Sequence, residues 1–228
     1  MIQIRRHVII PDFMQTRVMA PRAAAAAVSW WLSGGISAAN AIAVYQAKGA
    51  ASLAASYINL ANPGTYNAAP GVAPTWASGT GWTFNGSTQW LLTGITPASG
   101  WSMFLQYTGF GGANYSYFCG EFTADARFFV GHYEVGAWYA SGQQVYNVAP
   151  SVAAAGNLGI AGQQGYRNGI ADGGAIGAWA GVATVAIGIA RLLPFASNAA
   201  FTAVALAIYD TTLTAPQVAA VSAAMSLL

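Results

Sequence analysis

The sequence predicts an all-β fold: two antiparallel sheets packed face to face, with an N-terminal arm and a short C-terminal helix. Three observations predict it. From Ala41 onward the chain breaks into short apolar or alternating runs, punctuated by glycine, proline and asparagine. Two late segments, GVATVAIGIA (181–190) and FTAVALAIY (201–209), are apolar on both faces, as central strands of a two-layer sandwich are. One strand-to-helix corner, LAIYDTTLTAPQV (206–218), closes the chain.

The elements follow in order. Residues 1–22 are the expected arm. In MIQIRRHVII, Ile2, Ile4, Val8 and Ile10 recur at even positions with Arg6 as the exception, while Gln3, Arg5 and His7 take the other face. Pro11 ends this strand pattern, since it cannot donate into a ladder. Residues 23–40 connect the arm to the body. Their AAAAAVSWWL run is helix-permissive, and Ser33-Gly34-Gly35 would stop that helix. Residues 41–228 form the sandwich domain. AIAVYQA (41–47) reads as a strand, and LANPGTYNAAPGVAPTW (60–76), with three prolines, as a loop. Asn85-Gly86 in GWTFNGSTQWLL predicts a hairpin. In WSMFLQYT (101–108), Trp101, Met103, Leu105 and Tyr107 face one way; Phe104 is the exception among the residues facing the other. ARFFVGHY, AWYASG and QQVYNV continue the strands, and Asn168-Gly169 predicts a second hairpin. Thr214 opens a T-A-P-Q capping box, with Pro216 in the first helical turn. Val218, Val221, Met225 and Leu228 then line one side of a helix expected to cover a sheet edge or open end.

Composition limits the partners. The length of 228 residues suits a single sandwich domain. Only 6% of residues are charged, so a folded monomer exposing about 9,800 Å² carries roughly one charge per 700 Å². Low charge favours association, so copies of the chain itself are expected partners, a neutral monomer being the alternative. Residues 1–22 hold Arg5, Arg6, Arg17 and Arg22 against Asp12, whereas the body holds four basic and five acidic groups. No basic stripe marks the body for nucleic acid. The uncharged run Ala23–Ala47 imitates a signal peptide, but its apolar core starts late, after 22 residues with Asp12 and two prolines. Gly173–Ala190 is rich in Gly and Ala and reads as buried strands rather than a membrane span. Cys119, the one cysteine, is expected to be a buried small hydrophobe; it forms neither an internal disulfide nor a cysteine metal cluster.

The segments TFNGSTQWLLTG, GWSMFLQYTG, GYRNGIADG and LAIYDTTLTAPQV, in that order, resemble the concanavalin A-like lectin/glucanase superfamily and in particular its laminin G-like jelly-roll modules. The likeness covers residues 41–228 and implies a jelly-roll sandwich. The Ala/Gly-rich texture, with NLANPGTYNAAPG before the first predicted hairpin, also resembles phage and prophage virion-associated proteins. Glucanases of the superfamily use two carboxylates about 5 Å apart. Here only Glu121 and Asp125 come close, with Glu134 next, and EFTAD is not the glucanase pattern. Calcium, often found in such modules, needs clustered oxygen ligands, but Asp125, Asp172 and Asp210 are dispersed. The two histidines, His7 and His132, accompany no G-x-S-x-G serine, and GFGGAN (109–114) lacks the lysine of a phosphate loop. The chain is therefore expected to be no enzyme and to need no metal or cofactor.

Sugar recognition uses exposed aromatic faces beside polar groups. Residues 107–146 supply both, and the candidate glycan site comprises Trp138, Tyr139, Arg127, His132, Glu134 and Tyr115. The competing assignment is core or cross-strand packing. The expected function is a structural or adhesive subunit of a virion or extracellular assembly, with glycan binding as an added role. A monomeric carbohydrate-binding lectin domain is the alternative, and a glycan hydrolase or lyase comes third. The expected partners are further copies of the chain and surface glycans, with neither nucleic acid nor a membrane span. A lone strand lacks hydrogen-bond partners, so Ile2, Ile4, Arg5, Arg6, Val8 and Ile10 are expected to join a neighbouring subunit's sheet.

Overall fold

The computed structural model describes residues 29–228 apart from Pro194 and Ala196. The predicted arm, with Ile2, Ile4, Arg5, Arg6, Val8 and Ile10, and the run Ala23–Val28 lie outside the described residues. In chain order the strands are β1 (Ala41–Gln46), β2 (Ala69–Val72), β3 (Thr75–Ala77), β4 (Gly81–Asn85), β5 (Trp90–Leu92), β6 (Ser102–Thr108), β7 (Ser116–Glu121) and β8 (Arg127–Tyr133). They continue as β9 (Gly136–Gly142), β10 (Gln144–Val148), β11 (Gly156–Ala161), β12 (Gln164–Arg167), β13 (Ile170–Ala175), β14 (Gly188–Ile189) and β15 (Ala200–Tyr209). Helices α1 (Leu53–Ser56) and α2 (Ala215–Met225) and two short 3-10 turns complete the described fold. The expected two-sheet antiparallel jelly-roll sandwich is what forms. One sheet has eight strands in the order β13-β12-β11-β6-β15-β4-β3, with β1 also paired to β15; the other runs β10-β9-β8-β7-β14-β5-β2.

Strand β15 organises the first sheet. One of its edges pairs with β6 from Thr202 to Tyr209. The other takes β4 along Ala200–Ala203 and β1 along Ala205–Tyr209. Ten residues extend about 33 Å, long enough to hold two strands end to end. Between them, the Val204 carbonyl accepts the amides of Ala47 and Lys48 at 2.9 and 3.2 Å. Gly81 lets β4 start this close, since a Cβ there would lie 2.2 Å from the Ala203 carbonyl oxygen. Across the sandwich, Phe118 of β7 stacks on Phe201 of β15 with centroids 4.7 Å apart, and Phe84, Tyr107 and Phe110 gather around that pair.

The two-faced apolar pattern of β15 has a direct cause. Its inward side chains meet the second sheet, and Ala205, Ala207 and Tyr209 meet α2 on the outside. Phe104, the exception in β6, packs in this outer layer with Val218, Val221 and Met225. The helix therefore covers a sheet face, where an edge or open end was expected. Gln217 reaches back as predicted, its Oε1 accepting the Thr214 amide at 2.9 Å.

Other expectations give way to local chemistry. Asn85-Gly86 makes no hairpin: Asn85 Oδ1 accepts the amides of Ser87, Thr88 and Gln89 at 3.0, 3.0 and 3.2 Å, forming a side-chain-capped loop. That loop carries the chain from β4 in one sheet to β5 in the other. Asn168-Gly169, with φ of 52° and 80°, does turn the β12–β13 hairpin. The proline-rich segment contributes the short edge strands β2 and β3, and Pro70 is tolerated because β2 is an edge. Of GVATVAIGIA only Gly188–Ile189 pairs as a strand, since Ala190 turns to a φ of 64° and ends it. The described part of the expected 23–32 helix is a 3-10 turn, Trp30–Leu32, followed by Gly34 and Gly35 at positive φ.

Candidate functional site: an aromatic face on the second sheet

Alternation along β8 and β9 sorts their side chains. Phe128, Val130, Ala137 and Tyr139 enter the sandwich core. Phe129, Trp138 and Ala140 lie on the opposite, outer face, where Tyr117 and Leu192 pack with them. Register places Trp138 beside Gly131 of β8 and Asn147 of β10, and Tyr133 beside Gly136. The ring of Trp138 lies 4.9 Å from Tyr117, 5.0 Å from Phe129 and 5.0 Å from Tyr133. Tyr115 completes the group, 4.7 Å from Tyr133 and 6.4 Å from Trp138. Phe129 and Tyr117 are the buried floor, Trp138 and Tyr133 are half-buried, and Tyr115 stands 54% exposed at the rim. Exposed Glu134 and Asn147 border the rings with polar atoms.

The rim is held in uncommon backbone. Tyr115 and Glu134 both lie in the left-handed region, at φ of 54° and 49°. A non-glycine residue there costs of order 1–3 kcal/mol and persists only where its surroundings fix it. The fixing is visible at Tyr115. The Ala113 carbonyl, two residues earlier, accepts from Ser116 Oγ at 2.7 Å and from His132 Nδ1 at 3.1 Å. Glu134 sits in the two-residue turn between β8 and β9. Tyr115 donates its hydroxyl to Tyr133 at 3.2 Å. The hydrogen bonds of Tyr133 with Tyr115 and Glu134 hold its phenol above the ordinary tyrosine range. Burial, reinforced by Tyr115, pushes Tyr117 up to about 12.

The structure divides the six predicted residues. Trp138, Tyr115 and Glu134 come together on the outer face. Tyr139 does not join them: one residue along a strand reverses the face, and its ring is fully buried. Its hydroxyl donates to Asp172 at 2.8 Å, and Asp172 pairs with Arg167 at 2.7 Å. His132 is buried too, its ring 5.2 Å from Phe110, and it acts on the rim only through Ala113. Arg127 stands six residues from Tyr133, at the other end of β8 and about 20 Å along the strand. Its guanidinium covers Phe122 at 4.7 Å and donates to the Gln143 carbonyl. Tyr133 and Asn147 also lie on this face, Tyr133 among the rings and Asn147 beside Trp138, though sequence reasoning left them out of the six. The signal for Tyr133 was its spacing from Trp138 around a two-residue turn; nothing local marked Asn147.

The other acids are placed apart. Glu121 is fully buried at the end of β7, with Oε2 accepting from Thr123 at 2.8 Å and Oε1 unpartnered. Desolvation, opposed by the Thr123 bond, raises its carboxyl to about 7. Asp125 is exposed in the turn that follows. Among the described residues, no three His, Cys, Asp or Glu side chains group to hold a metal ion. No helix among them is long and apolar enough to cross a membrane.

A scan of protein-family models and a search of curated proteins give no match. Solved structures do. Trypanosoma rangeli sialidase matches 81% of this chain and 32% of its own at 14% identity, with a TM-score of 0.59. The chain thus spans about a third of the sialidase. Domain 4 of AbnA, a GH43 extracellular arabinanase from Geobacillus stearothermophilus, was solved in complex with arabinotriose. It matches 80% of this chain and 98% of its own at 12% identity and a TM-score of 0.58. A structure of botulinum neurotoxin type C, whose cell entry depends on interaction with two ganglioside molecules, matches 82% of this chain and 52% of its own. Identity there is 9% and the TM-score 0.55. One expectation is corrected by these matches. The missing carboxylate pair had set the chain apart from enzymes, yet its fold recurs in sialidases and in a domain of an arabinanase. At these identities the likeness is one of fold: a β-sandwich of the kind found in glycan-active and glycan-binding proteins.

Proposed function

We propose that this chain is a carbohydrate-binding β-sandwich domain whose site is the outer aromatic face of the seven-stranded sheet. One observation carries the reading. Tyr115, Tyr133 and Trp138 cluster with centroids 4.7–6.4 Å apart on a solvent-facing sheet surface, bordered by Glu134 and Asn147. Ring faces take the C–H side of a sugar, and the bordering carboxylate and amide take its hydroxyls. The arabinotriose and ganglioside partners of the matched proteins support it, as does the likeness of residues 41–228 to concanavalin A-like jelly rolls. Recognition of a surface glycan outside the cell or on a virion would use this same face, with or without assembly of several copies.

The test is a glycan array probed with the chain and with Trp138→Ala, circular dichroism checking that the variant is folded. The expected result is binding to a defined glycan set that falls at least about tenfold in the variant, the scale of an aromatic anchor worth about 2 kcal/mol. Unchanged binding by a folded Trp138→Ala protein would refute the site.

A further inference from the structure

The aromatic face continues past Trp138. Along β8 the outward positions are Tyr133, Gly131, Phe129 and Arg127, because alternate residues share a face. Phe129, the buried floor, meets Trp138 edge-on at 5.0 Å and Phe122 in a stack at 6.5 Å. Trp138 is level with Gly131, towards Tyr133, and the Arg127 guanidinium lies over Phe122 at 4.7 Å, towards the other end. Phe122 follows β7, and its amide donates to the Leu193 carbonyl at 3.0 Å. That bond holds the segment after β14 beside Phe122, and Phe195 of that segment packs edge-on to it at 4.8 Å. Phe195 is 45% exposed, nearly as open as Tyr115 at the other end of the row. The rings thus run without a gap from Tyr115 to Phe195, each within 6.5 Å of the next.

Length is what this arrangement offers a ligand. Arg127 and Tyr133 are six residues apart, about 20 Å of strand, further than one sugar ring reaches. A linear chain of sugar rings spans it. The rings of Tyr133 and Trp138 take one part of such a chain, and those of Phe122 and Phe195 another. Each end has its own polar partners. Glu134 and Asn147, both exposed, border the Trp138 end. At the other end Arg127 donates from one terminal nitrogen to the Gln143 carbonyl. A guanidinium has further N–H donors, and these suit sugar hydroxyl or carboxylate oxygens alike. Stacking on Phe122 already orients that guanidinium, so little freedom is lost when it donates. Exposed Gln143 adds its amide, which also reaches Asp125 Oδ1 at 3.4 Å.

We infer that the face carries a second subsite, made by Phe122, Phe195 and Arg127, and takes linear oligosaccharides lying along β8 rather than a single terminal sugar. The inference rests on the reading of the aromatic face as a glycan site, and the experiment keeps the two separable. The full chain is titrated with linear glucan, galactan, arabinan and galacturonan fragments, each series running from disaccharide to octasaccharide. Wild type, Trp138→Ala, Phe122→Ala and Arg127→Ala are compared, with circular dichroism checking that each is folded. In wild type, affinity for at least one series is expected to rise at least about tenfold with length, the scale of an added aromatic anchor. Phe122→Ala and Arg127→Ala are expected to flatten that rise, and Trp138→Ala to weaken binding at every length. Equal affinity for short and long chains, lost in Trp138→Ala, would overturn the second subsite and leave the first standing. A rise that survives intact in folded Phe122→Ala or Arg127→Ala would overturn the second subsite as well. Binding that no series shows, or that Trp138→Ala leaves unchanged at every length, would overturn both readings. Should Phe122→Ala fail to fold, Arg127→Ala, at a half-buried residue, and the wild-type series decide.

Discussion

Glu121 is a carboxyl held in a fully buried place. It is buried with one oxygen unpartnered, and its carboxyl is raised to about 7 from an ordinary 4.5. A raised acid means the folded state binds the proton more tightly than the unfolded chain. The stability it contributes is complete below about pH 4.5 and is lost as pH rises through about 7. Glu121→Gln is therefore expected to match wild type near pH 4 and to exceed it at pH 8, by about 1–3 kcal/mol. Urea midpoints at the two pH values check this, and equal midpoints at pH 8 would contradict it. His132 is expected to act on ligand binding without touching ligand. His132→Ala removes the bond to Ala113 that steadies Tyr115, so it should weaken glycan binding and lower stability by about 1–3 kcal/mol. Calorimetric titration beside thermal melts separates the two effects. Cys119 is fully buried against Met103, and burial raises its thiol well above the usual range. It should react with a thiol reagent only after denaturation.

At the scale of elements, the sequence was readable where one local signal had one structural outcome. The capping box beginning at Thr214 and the apolar side of α2 were both legible, because caps and periodicity are local. Asn168-Gly169 was legible as a hairpin for the same reason. Asn85-Gly86 has the same two residues and the opposite result, because the strands it joins belong to different sheets, a fact settled by distant pairing with Ala200–Ala203 and Leu91–Leu92 partners. The site was half legible. Trp138 and Tyr139 are equally aromatic, and only the face chosen by the strand separates a surface residue from a core residue. The role of α2 offers a direct check. Phe104→Ala empties the layer between β6 and α2 and should cost about 3–5 kcal/mol, whereas Val182→Ala, at a residue 79% exposed, should change stability by less than about 0.5 kcal/mol. Chemical denaturation of both variants measures the contrast.

The whole molecule is a sandwich with a helix on one outer face and aromatic rings on the other. The helix covers the eight-stranded sheet, so a solvent-facing apolar surface remains on the seven-stranded one. That asymmetry is what makes Trp138 a binding residue in this account and Tyr139 a structural one. The most direct measurement compares these two neighbours. The glycan bound best on an array is titrated into wild type, Trp138→Ala and Tyr139→Phe by calorimetry. Tyr139→Phe keeps the buried ring, removes its hydroxyl bond to Asp172 and should bind as wild type does with reduced stability. Trp138→Ala should remain folded and lose at least about tenfold in affinity. Wild-type affinity in a folded Trp138→Ala protein, or an equal loss in both variants, would contradict the claim that the outer aromatic face is the site.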